Sequence, residues 1–285
     1  NGKLTHAENM TGRGVLVGSS EPKQASFIMY GGTISGNRTN TEDGAGVRVH
    51  NASFRMYGGT ITDNHVKMSN YVGGGGVAAQ TSGEFIMYGG EISHNTSNGD
   101  GGGVGLVAAS FQMSGGSIIN NTATAGGGVS LWNDSFTLSG GTISGNTAKE
   151  DGGGVYFAGS TFNVSGDVNI TGNVVGGSSN NVYLPDGKTI TVAGALTGSQ
   201  IGVTTENTPS ASDYVQIASG TTSNTDPDKF LYENDGTAVS AVVTGRNTTM
   251  LVACKHNWSR EWATDTDQHW KECSICKGKN DVSGH

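Results

Sequence analysis

No cysteine precedes Cys254, so neither disulfides nor thiolate-bound metal can organise the long N-terminal part of this chain. Hydrophobic residues are also scarce, at 34%, which is low for a globule of 285 residues. A repeat array tolerates that scarcity because each unit buries only a thin inner stack. Basic residues are few: 16 Lys and Arg against 24 Asp and Glu give a net charge of −8. Nucleic-acid binding needs a basic surface, so the charge argues against that class of partner. No apolar run approaches the roughly 18 residues of a transmembrane helix. A signal-peptide pattern is missing too, and the chain opens near a repeat boundary, as expected of a piece of something longer.

What is abundant is glycine, 48 residues, more than twice the usual share of about 7%. It falls in a repeating pattern whose clearest copy is Gly126 to Asp151, GGGVSLWNDSFTLSGGTISGNTAKED. Val129 and Leu131 lie two apart, as do Phe136 and Leu138, and Ile143 stands just before Asn146. A period of two marks strands, and runs this short and glycine-broken do not make helices. Val15, Val47, Val77, Val104, Val129, Val155 and Val182 mark the repeats at intervals of 32, 30, 27, 25, 26 and 27 residues. Such a period predicts an all-β fold, a right-handed parallel β-helix with three strands per coil and about seven or more coils.

A second set of marks, Phe27, Phe54, Phe85, Phe111 and Phe136, lies ten residues before Asn37, Asn64, Asn95, Asn121 and Asn146. Phe162 lies eleven before Asn173. The Phe residues, with the Met or Leu two positions on, are expected to point inward and stack about 4.8 Å from coil to coil. The asparagines form one column in which side-chain amides can bond along the axis. Length variation is concentrated between each Asn and the next Val, the corner where such arrays place insertions. Residues 1–13 read as a lead-in, 14–204 as the β-helix, and 205–253 as last coils and a β cap over the open edge. Residues 254–285 read as a separate Cys/His-rich module.

Repeats of the form GGGV…SF.M.GGTISGN, followed by NVYLPDGKTITVAGALTGSQIGVTT, resemble secreted and wall-attached β-helix proteins of gut Firmicutes. More distantly they are similar to the repeats of chlamydial polymorphic membrane proteins, which are surface adhesins. The resemblance spans roughly Gly14 to Ala253 and implies an extracellular or cell-surface setting. Parallel β-helices also include pectate lyases and polygalacturonases. This chain shows neither the Gly-His-Gly nor the paired Asp-Asp signature of polygalacturonases, so no catalytic residues carry over.

Three constellations in the repeats and one in the tail bear on function. Tyr30, Tyr57 and Tyr88 occupy one outward column, with Ile28, Arg55 and Ile86 beside them. Stacked phenols beside isoleucines make an apolar band suited to a glycan, or a ladder that stabilises only itself. Asp63 and His94, each one residue before a closing Asn, are expected about 5 Å apart on neighbouring coils, with Glu91 on the same strand. Asp, His and Glu together suit acid–base work, and glycosidases hold two carboxyl groups about 5–5.5 Å or 6.5–9.5 Å apart. Stacked polar surface residues are the commoner explanation. Asp43, Asp100 and Asp151 precede the glycine-rich corners, where Asp-Gly is ordinary turn chemistry.

The tail reads Cys254-x-His256-x-Trp258, His269-Trp270, Cys273-x-x-Cys276 and finally His285. Thiolate and imidazole in this arrangement suit structural, tetrahedral zinc. His256, Cys273, Cys276 and His285 are the expected ligands, with Cys254 and His269 in reserve. A disulfide or a disordered linker is the alternative. The tail also resembles the short Cys/His/Trp repeats that end secreted Firmicutes proteins. Two function classes follow: a non-catalytic adhesin or glycan-binding protein displaying a long β face, or a carbohydrate-active enzyme, hydrolase or lyase, working around Asp63, Glu91 and His94. Regular repeats leave little room for a built active site and favour the first.

Overall fold

The structure, a computed structural model, describes residues 2–5, 11–18, 20, 25–40, 43–67, 73–221, 227–234, 237, 239–243, 248–265, 268–277 and 279–284. It is a parallel β-solenoid of about eight turns. The valine marks are in register throughout: Val15 pairs with Val47, and the column continues through Val77, Val104, Val129, Val155 and Val182 to Val203. Phe27, Phe54, Phe85, Phe111, Phe136 and Phe162 form a second column. Their rings stack at centroid distances of 4.7 to 5.1 Å. All but Phe27 are fully buried, as the alternation requires of inward-facing positions.

Two features go beyond three strands per coil. In the fifth and sixth coils the Phe strand and the following Ile strand fuse into single strands, Ser135–Ser144 and Thr161–Thr171. Two-residue strands after the closing asparagines, such as Thr96–Ser97 and Thr122–Ala123, build a separate narrow ladder. Strands this short carry no periodicity, which is why sequence pattern does not reveal them.

The asparagine column is a buried hydrogen-bond ladder with a direction. Asn121 Oδ1 accepts from both the backbone N–H and the Nδ2 of Asn95, at 2.9 and 3.0 Å. Asn121 Nδ2 donates onward to Asn146 Oδ1 at 3.0 Å and back to the Ile92 carbonyl at 2.9 Å. The pattern runs from Asn37 through Asn173 to Asn181, and ends on Glu233. Glu233 accepts from both Asn181 nitrogens, so the last rung is a carboxylate, which only accepts. The residue before each rung from Asn37 to Asn173 has positive φ: Gly36, Asp63, His94, Asn120, Gly145 and Gly172. The glycine corners are equally constrained. A Cβ on Gly103 would lie 2.7 Å from the Gly128 carbonyl oxygen of the next coil.

Of the lead-in, Lys3–Leu4 pairs with Thr33–Ser35 and so folds onto the first coil. At the other end, Val215–Thr221 continues the sheet parallel to Ile190–Leu196. It then pairs antiparallel with Thr248–Ala253, which also pairs antiparallel with Val239–Val243. This change of direction forms the cap. A separate antiparallel sheet of Ala263–Thr264, Gln268–Glu272 and Lys279–Gly284 follows. Among the described residues no helix is long and apolar enough to cross a membrane.

Candidate functional site

The tightest chemical cluster lies where the cap meets the tail sheet. Cys254 follows the last cap strand directly, and His256 stands two residues on. Cys273 directly follows the strand Gln268–Glu272, and Cys276 sits in the turn after it. One donor atom from each of these four lies within 4.8 Å of all the others. Cys254 and Cys273 sulfurs are 3.9 Å apart, and Cys276 Sγ is 3.4 Å from His256 Nδ1. A tetrahedral ion with metal–sulfur and metal–nitrogen bonds of zinc length has edges of about 3.8 Å (S···S) and 3.5 Å (S···N). Two edges of the donor set therefore match such an ion, and the remaining donors lie within 4.8 Å, close enough to converge on one.

The surroundings prepare these ligands. His256 Nε2 is 2.9 Å from Ser240 Oγ on the cap, a bond that leaves Nδ1 facing the sulfurs. The His256 ring also stacks on Trp258 at 4.4 Å. Burial pushes the Cys273 thiol up, but N–H donors of Cys276, Ile275 and Asn257, with the His256 side chain, outweigh it and bring the group to about 6. Cys254 is raised by burial and by the neighbouring thiols. All three cysteines are buried and none is in a disulfide. The fourth member is thus Cys254, a reserve candidate in the sequence. His269 packs edge-on against Trp262 at 5.0 Å instead, and His285 lies outside the described residues.

The tyrosine column is present as read. Tyr30, Tyr57 and Tyr88 stack at 5.1 and 4.6 Å with interplanar angles of 17° and 14°, and stay 75%, 45% and 45% exposed. Stacking at that distance covers both faces of Tyr57, so the column presents ring edges and hydroxyls rather than open faces. Asp63 and His94 are exposed neighbours at the corner, linked through the Asp63 N–H to the Ser93 carbonyl. Both occupy the positive-φ position that glycine or asparagine fills in other coils, which gives them a turn role. Glu91 pairs with Thr60, three positions from Asp63 along the strand, or about 10 Å.

A second aromatic row lies on the outer face of the valine strands, which sequence reading passed over. Trp132, Tyr156 and Tyr183 come from coils five, six and seven, with centroids 5.5 and 5.8 Å apart. The Trp132 and Tyr156 rings are tilted by 34°, and Trp132 is 39% exposed, so indole surface is open. The signal was weak because Trp132 is the fourth residue of its strand and the tyrosines are the second. Only the fold brings them together. Carboxylates border the row. Trp132 Nε1 donates to Asp100 Oδ2 at 3.2 Å. Burial raises Asp100, partly offset by Trp132 and the Ala125 N–H, while burial and the charges of Glu150 and Glu206 raise Asp151. Burial and then these acids raise the Tyr156 phenol, and burial with the charges of Asp151 and Glu206 pushes Tyr183 up to about 12. Both hydroxyls therefore stay protonated as donors. Beyond Glu206 the face opens into a groove of about 670 Å³ lined by Leu184, Asp186, Lys188, Asp213 and Tyr214 among others.

Comparison with protein-family models, with curated proteins and with solved structures returns no match to this chain.

Proposed function

We propose that this protein is an extracellular or surface-attached β-solenoid that binds glycan on its outer face and carries a structural zinc ion in its tail. The observation that supports the binding role is the Trp132–Tyr156–Tyr183 row, where open aromatic surface, phenol donors and carboxylate acceptors share one strip. Sugars present flat C–H faces ringed by hydroxyls, and such a strip answers both. The tyrosine column at Tyr30, Tyr57 and Tyr88 serves as a secondary rim of hydroxyls. Zinc is the ion chosen by three thiolates and one imidazole at tetrahedral spacing.

The test is binding to an array of glycans, repeated with Trp132→Ala and Tyr57→Ala. Trp132→Ala is expected to weaken binding about tenfold or more, and Tyr57→Ala less. Equal binding by Trp132→Ala and the wild type would reject the strip.

A second reading, glycoside hydrolysis, has one observation in its favour: Asp100 and Asp151 are both raised in the same strip. They lie two coils apart, about 9–10 Å, at the upper edge of the inverting range. Both Asp100 oxygens are already held, by the Ala125 N–H and the Trp132 indole, which suits a positioning role better than proton transfer.

A further inference from the structure

The metal centre is not contained in the tail. Two of its ligands, Cys254 and His256, extend from the cap strand Thr248–Ala253, and Ser240 on the neighbouring cap strand orients His256. The other two, Cys273 and Cys276, belong to the separate three-stranded sheet. Among the described residues no strand of that sheet pairs with a strand of the solenoid or cap. The backbone bonds near the centre, such as Ser274 N–H to the Asn257 carbonyl, join the tail to the segment after His256 and not to the cap. A small apolar cluster is shared: Val252 with the three cysteines, flanked by Val242 and Met250 of the cap and Ile275 of the tail. Three of the four ligands are therefore themselves part of the contact between cap and tail.

Resting on the zinc reading above, we infer that the ion is a clasp that fastens the C-terminal sheet to the end of the solenoid and at the same time holds the cap strands in place. Two ligands from each side make the joint dependent on the ion, since neither pair alone fills a tetrahedral site. Removing the ion leaves three thiols and an imidazole crowded in a buried cluster with no partner ion to hold them. The joint then opens on both sides. A self-contained zinc module would behave differently, because its loss would leave the cap undisturbed.

The experiment measures zinc content and backbone hydrogen exchange on the full chain, before and after a competing chelator. One equivalent of zinc is expected, and its removal is expected to raise exchange in 239–253 and in 257–284 together, while coils around Phe111 stay protected. Cys276→Ser, in the tail, should loosen the Val239–Val243 strand, and Cys254→Ser, on the cap, should loosen the tail hairpin. Ser240→Ala should keep the ion but lower its affinity by about 10- to 100-fold. If no zinc binds, the metal reading fails and the clasp falls with it. If zinc binds but its removal leaves both regions as protected as before, the metal reading stands and the clasp is overturned. Loosening confined to 257–284 overturns it equally.

Discussion

Replacing Asn121 by aspartate changes one atom in a fully buried ladder, and the direction of the ladder fixes the outcome. The side-chain nitrogen that donates to Asn146 Oδ1 and to the Ile92 carbonyl becomes an oxygen. Two bonds are lost and two acceptors then face a third at about hydrogen-bond distance, while the acceptor role toward Asn95 survives. Asn146 Oδ1 keeps the N–H of residue 121 as a donor, so the cost is that of two lost bonds at about 0.5–1.5 kcal/mol each, or about 1–3 kcal/mol before the charge is counted. Burial of the new carboxylate raises its folded-state pKa, so the protonated form is favoured in the native state and can restore one donated bond. Stability should fall as pH rises through that raised value and recover in acid. Glu233→Gln at the end of the ladder is the mirror test. There three donors arrive, from both Asn181 nitrogens and Thr204, and an amide nitrogen would meet one of them, at a cost of about 1–3 kcal/mol. Urea unfolding should be followed together with hydrogen exchange, because repeat arrays can open coil by coil. Asn121→Asp unfolding at the wild-type urea concentration at pH 7 would refute the ladder as a stabilising element.

The remaining expectations follow from the same packing. Phe111→Ala removes one ring from a continuous stack and should cost about 3–5 kcal/mol, read from urea unfolding with the far-ultraviolet spectrum retained. Asp63→Gly and His94→Gly should leave stability within about 1 kcal/mol of wild type, since glycine tolerates positive φ, whereas Asp63→Val should be clearly destabilising. Asp134 is pushed up to about 6 by burial, against the opposing N–H bonds of Ala109 and Trp132. Its folded pKa exceeds its unfolded one, so its contribution to stability should decline between about pH 4 and pH 6, by at most about 3 kcal/mol. Asp134→Asn should flatten that slope in a pH series of melting curves.

The core of this fold was open to sequence reading because its determinants are local and repeated. Val77, Phe85, Ile92 and Asn95 recur in order, and each occupies a position whose neighbours along the axis are its own equivalents. Glu233 was hidden for the opposite reason: it joins the asparagine column from 52 residues beyond Asn181 and belongs to no repeat. The Trp132–Tyr156–Tyr183 row escaped for a related reason, since its members sit at different strand positions and meet only through side-chain reach. In the tail the ligand types were legible but the set was not. Cys254 closes the site because the cap strand delivers it there, which spacing alone does not encode. Asp63 and His94 looked like chemistry in the sequence, and their positive φ shows the backbone demand that a string of letters conceals.

Display without catalysis is the central claim, and one assay addresses it most directly. The intact, zinc-loaded protein is incubated with the glycan it binds best, and new reducing ends and unsaturated sugar products are measured over hours alongside binding. Saturable binding that Trp132→Ala weakens, with no product above the rate without protein, is the result expected. Steady release of product, abolished by Asp100→Asn or Asp151→Asn with binding retained, would contradict it and establish an enzyme.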